Sequence, residues 1–138
     1  MPALRKYLAF DIETASTVQG SDWRASRPLG ITCAAALASD TPDKPILWHG
    51  VTPEGAPAGR MSRDEVRGVI KELNAHLAQG YTLLTWNGAG FDFDVLAEEA
   101  EAYPECRQLA RDHVDMMFHV VCEKGFPIGI KHAAQAMD

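Results

Sequence analysis

Asp11 and Glu13 stand two residues apart at the end of the apolar run Leu8-Ala9-Phe10. Side chains on a β-strand alternate, so both carboxylates point to one side. Acids held side by side repel each other and are poorly solvated beside a hydrophobic core. Their natural counter-charge is a divalent cation with oxygen ligands. A third acid, Asp92, closes the stretch Leu83-Leu-Thr-Trp-Asn87-Gly-Ala-Gly-Phe91. That stretch reads as a strand, a turn that glycines let bend sharply, and the opening of a helix, where acids are favoured. If this strand lies beside the first, Asp92 arrives near Asp11 and Glu13. Three acids on one sheet edge form a site for two hard cations about 4 Å apart, and such sites hydrolyse phosphodiesters.

The elements around these acids can be read in order. Lys6 to Phe10 forms a first strand, and Thr14 to Pro28 is polar and turn-rich. Leu29 to Ala38 has the length and apolar character of a second strand. Pro45 to His49 makes a short third, after turn chemistry at Asp40, Pro42 and Asp43. Short links imply an antiparallel meander. Gly50 to Arg60 is a loop. Ser62 and Glu65 form a capping box, and Val66, Val69, Ile70, Leu73 and Leu77 recur at helical spacing, predicting a helix over 63–78 that Gly80 ends. Tyr81 to Thr85 follows as a strand, and a strand reached through a helix runs parallel to one already in the sheet. Helices are expected from Phe91 or Asp92 to about 102, over 104–112, over 116–122 and over 130–137, with a break at 125–129.

Composition bounds the classes. The 138 residues suit one domain with a core, 46% apolar and 23% charged. No run approaches the roughly 20 apolar residues of a membrane span, and no membrane partner is expected. Met1 to Lys6 is too short for a secretory signal. Cys33, Cys106 and Cys122 are odd in number and lack metal-ligand spacing; they read as free buried thiols of a reducing, cytoplasmic compartment. The net charge of −6 opposes a protein that grips long duplex by neutralising phosphates. It is compatible with an enzyme that holds a few nucleotides through bound metal.

Phe10-Asp11-Ile12-Glu13-Thr14 resembles the first motif of the DEDD superfamily of 3′–5′ exonucleases, and Asn87-Gly-Ala-Gly-Phe91-Asp92 is similar to their second. The resemblance implies an α/β, ribonuclease H-like mixed sheet, three antiparallel strands plus parallel strands, flanked by helices. It also implies 3′–5′ hydrolysis at single-stranded or frayed nucleic-acid ends with two Mg²⁺ or Mn²⁺ ions. Asp11 and Glu13 would be catalytic metal ligands, Glu13 toward the attacking water, and Asp92 would ligate the second ion. Asn87 and Phe91 would shape the pocket for the terminal nucleotides, and Thr14 would lie where the 3′ end is held.

The family's last motif, Tyr or His followed by a spaced Asp, has no match in this chain. His132 precedes Asp138 by one residue too many, and His113 and Asp115 are only two apart. Residues 128–137 resemble the helix before that motif. The expectation is therefore a single exonuclease-like domain over 1–138 that stops before its fourth ligand. The alternatives are a degenerate member, or a fourth acid supplied by Asp115 or Asp138. Asp115 also resembles an acid the family carries at the end of its fifth strand, outside the metal set. Two other functions compete. One is a nucleic-acid-binding or scaffolding module that has lost the chemistry. The other is a haloacid-dehalogenase-type phosphatase, whose order Asp11, Thr85 and Lys131 mimic. Trp23, Arg24 and Arg27, in the loop after the first motif, could touch a nucleic-acid strand or form an ordinary polar loop with one packed Trp.

Overall fold

The central element is β1 (Lys6–Thr14), and every other layer is placed by it. The protein is described over residues 4–137 as a computed structural model. One sheet of six strands has the order β4-β3-β2-β1-β5-β6. β2 (Ile31–Ala38) and β3 (Ile46–Val51) form the expected antiparallel meander with β1, and β4 (Pro57–Ala58) is a two-residue edge. The capping box holds as read: Ser62 Oγ accepts from Glu65 N–H and Glu65 Oε2 accepts from Ser62 N–H, opening α1 (Arg63–Ala78). α1 returns the chain to β5 (Tyr81–Thr85), which pairs parallel with β1 from Lys6↔Tyr81 to Ala9↔Leu84. Then come α2 (Asp92–Ala100), α3 (Tyr103–Arg111), β6 (His113–Asp115), α4 (Met116–Lys124) and α5 (Ile130–Gln135).

The core lies on one face of the sheet. Leu8, Phe10 and Ile12 alternate inward from β1 against Val66, Val69 and Leu73 of α1 and Phe93 and Leu96 of α2. Asp11 and Glu13 therefore take the other parity and are exposed. On that opposite face Asp11 borders an open groove of about 330 Å³, whose apolar lining includes Ala9, Leu37, Leu84, Trp86 and Ile130. None of the helices is long and apolar enough to cross a membrane among the described residues.

Three expectations need correction, and one strand is added. β1 runs four residues beyond Phe10, because ladder pairing of Asp11 with Ala35 and Glu13 with Cys33 outweighs the poor strand propensity of acids. β2 starts at Ile31, not Leu29, since Gly30 sits at φ +66 and cannot continue a strand. β6 fills the gap between the helices expected over 104–112 and 116–122; three residues are too few for a period to show, and it is fixed by parallel pairing with β5. The thiols are free, but only Cys106 is buried, which pushes it up to about 12, whereas Cys33 is half-buried and Cys122 exposed. Cys122 lies on α4, which contributes no buried residue.

Candidate metal centre and nucleic-acid site

β1 and β5 are parallel neighbours, so their C-terminal ends open on the same sheet edge. The first brings Asp11 there, and the second delivers the turn that leads to Asp92. A register shift between Glu13 and Thr14 marks a bulge at that edge, a device that re-aims side chains where a strand stops pairing regularly.

The turn is built by close approach. Asn87 holds a left-handed φ of 65°, which asparagine tolerates better than other side chains. Gly88 donates its N–H to Thr85 Oγ1 at 3.0 Å. A Cβ at position 88 would run into the Thr85 side chain, which is buried and cannot swing aside. Gly88→Ala is therefore expected to cost about 2 kcal/mol or more, the usual result of overpacking; a melting curve superimposed on the wild type would count against this account. Gly88 O then accepts from Phe93 N–H at 3.0 Å, starting α2 with Asp92 at its first position.

Asp92 is 3% exposed, and its Oδ1 has no hydrogen-bond partner. Burial first, and then the neighbouring Asp11 carboxylate, push its carboxyl from the ordinary 3.8 up to about 7. Backbone hydrogen bonding by Asp92 itself, and then by Ile12, opposes that shift only in part. A buried carboxylate oxygen without a donor, facing a second carboxylate, can be satisfied by a hard cation or by a shared proton. Glu13 projects from the same strand face two residues on, about 7 Å along β1. Among the described residues no three His, Cys, Asp or Glu side chains are gathered to hold a metal ion. Asp11 and Asp92 are near enough for each charge to act on the other, and Glu13 is exposed on the strand face it shares with Asp11.

Asp115 is engaged elsewhere. Its Oδ1 accepts from Asn87 N–H (2.9 Å), Met117 N–H (3.1 Å) and Phe118 N–H (3.4 Å), and its Oδ2 from Ala89 N–H (3.4 Å). It is at once the N-cap of α4 and the anchor of the turn that carries Asn87. The signal was present in the sequence as an acid immediately before a helical apolar run. Asp138 lies outside the described residues.

Phe91 is half-buried and meets the Trp23 ring edge-on, with centroids 4.9 Å apart. The Thr14 hydroxyl donates to Ser16 O at 3.0 Å. His113 Nδ1 is 2.6 Å from Ala110 O and its ring lies edge-on to Phe93, whereas His49, His119 and His132 are exposed. Lys131 is exposed on α5, and the Thr85 hydroxyl is buried in the turn.

Residues 58–138 match the family model of the RNase_H superfamily. No curated protein matches the chain. Among solved structures, it resembles a family B DNA polymerase from the hyperthermophilic archaeon Pyrobaculum calidifontis, with TM-score 0.52 and 23% identity over 75% of this chain and 12% of that one. It also resembles an exonuclease I in its apo form, with TM-score 0.53 and 12% identity over 88% of this chain and 31% of that one. At such identities the likeness is one of fold, and the chain spans only a minor part of either structure.

Proposed function

The chain belongs to the RNase_H superfamily, and from that membership we propose that it is a DEDD-type exonuclease, removing nucleotides 3′ to 5′ from single-stranded or frayed nucleic-acid ends. The observation that carries this reading is the unpartnered, buried Asp92 carboxylate beside Asp11. Asp11, Asp92 and Glu13 would hold Mg²⁺ or Mn²⁺, since an all-carboxylate donor set favours hard cations. The bound ions would supply an activated water and charge stabilisation for the leaving oxygen. The chain's own part is positional. β1 and the Thr85–Asp92 turn fix the two acids on one edge, and Phe91 and Asn87 border the place a terminal nucleotide would occupy. The 3′–5′ direction rests on the resemblance of the two motifs. Asp115 serves this reading as a positioning residue, because its oxygens are already committed to four N–H groups.

The test is degradation of a 5′-labelled oligonucleotide with Mg²⁺ or Mn²⁺ and with EDTA. Shortening from the 3′ end that needs metal and disappears in Asp11→Ala is the expected result. Degradation that continues unchanged in Asp11→Ala would sink the assignment.

A second reading, a binding or scaffolding module without turnover, is favoured by one observation: no third metal-ligating side chain gathers with Asp11 and Asp92 among the described residues. Binding without cleavage across both metals would select it. The phosphatase alternative needs an accessible Thr85 hydroxyl, but that group is 4% exposed and accepts from Gly88 N–H.

A further inference from the structure

We propose that Trp23 and Arg24 form a nucleotide subsite beside Phe91, Trp23 stacking on a base of an incoming single strand and Arg24 pairing with its phosphate. The substrate class rests on the nuclease reading; the subsite itself rests on the loop that follows β1. That loop is pinned to α2. Asp22 Oδ1 accepts from Arg24 N–H at 3.1 Å and caps the 3₁₀ turn Trp23–Ser26. Arg27 then clamps the turn onto α2, with Nε 2.9 Å from Glu98 and Nη2 3.3 Å from Asp94. The clamp sets the Trp23 ring edge-on to Phe91, the residue next to Asp92.

The two arginines differ in how firmly they are held. Arg27 is 29% exposed and doubly paired. Arg24 is 55% exposed and reaches only Asp94, at 3.8 Å. An exposed pair at that separation contributes little and is readily exchanged. A phosphate can therefore take Arg24 without leaving Asp94 unpaired, because Arg27 remains on it. Arg24 also lies over the Trp23 ring, 4.6 Å from its centroid. Arg27 stays over the same ring at 5.4 Å, so turning toward a phosphate lifts away only the cover that Arg24 gives, and phosphate capture and base stacking are linked through the part it frees. Stacking tolerates any base, which suits an enzyme that must accept every sequence.

The experiment is fluorescence anisotropy with a 5′-labelled oligo-dT in EDTA, where nothing is degraded. Trp23→Ala is expected to weaken binding about tenfold, within the roughly five- to hundredfold range of base–aromatic stacking, while Trp23→Phe keeps most of it. Arg24→Ala is expected to flatten the salt dependence by about 0.7 in log–log slope, the share of one phosphate on a single strand. Wild-type affinity and slope in Trp23→Ala and Arg24→Ala, or no binding by the wild type, overturns the subsite. So does a Trp23→Phe variant as weak as Trp23→Ala, since the ring would then serve packing. Trp23-dependent binding with no degradation in Mg²⁺ or Mn²⁺ refutes the exonuclease and leaves the subsite standing. Degradation at an unchanged KM by Trp23→Ala refutes the subsite and leaves the exonuclease.

Discussion

Asp92→Asn is expected to cost at least about a hundredfold in metal-dependent degradation while making the metal-free protein more stable at pH 8. A hundredfold is the upper end for changes beside a metal ligand, and this change strikes a proposed ligand itself. The stability gain follows from the raised carboxyl, which sits near 7 in the fold against an ordinary 3.8. Below pH 4 both folded and unfolded chains hold the proton, and nothing is lost. Between 4 and 7 the unfolded chain releases it first, so stability falls as pH rises. Above 7 both are ionised and the full cost, on the order of a few kcal/mol shared by the Asp11–Asp92 pair, is in place. Asparagine is neutral at every pH, so its melting temperature in EDTA should stay level where that of the wild type declines. Mg²⁺ at a hundred times its Kd should return about 2.7 kcal/mol to the wild type at pH 8 and little to the variant. Parallel melting curves for the two proteins from pH 5 to 8 in EDTA would show that Asp92 is not held as described.

The second large effect is expected at Asp115. Its carboxylate joins β6, the start of α4 and the turn after β5 through four accepted hydrogen bonds. Alanine there uncaps α4, which costs about 1 kcal/mol, and strands the Asn87 and Ala89 N–H groups, which lose a charged acceptor worth about 1.5–3 kcal/mol. Together Asp115→Ala should destabilise by about 2–4 kcal/mol, since such terms do not simply add. Asp115→Asn keeps one acceptor oxygen and should lose about half as much. If Asp115 instead ligated a metal, the asparagine variant would unfold like the wild type and fail only in activity. Chemical denaturation of both variants in EDTA separates the two roles.

Local patterns in the sequence carried much of the architecture. Ser62 and Glu65 fix the start of α1 because a capping box is satisfied within four residues. Tyr81–Thr85 is bounded by Gly80 on one side and the glycine turn on the other, and its bounds were legible for that reason. Features that depend on a partner strand were not. The extension of β1 to Thr14 is decided by Ala35 and Cys33 across the ladder, and β6 exists only because β5 offers an edge. Gly30 at φ +66 shortened β2 in a way that an apolar run conceals.

The same division holds at the candidate site. Residue types and alternation alone determined that Asp11 and Glu13 share a face, since a strand's period is two whatever surrounds it. They also determined that Asp92 opens a helix after a bent turn. Tertiary structure alone decided that Asp92 is buried against Asp11, that Glu13 stays in solvent, and that Asp115 is consumed by backbone N–H groups. The physical reason is that burial and ion pairing are set by elements remote in the chain, here the parallel seating of β5 beside β1 and the packing of α2 over it.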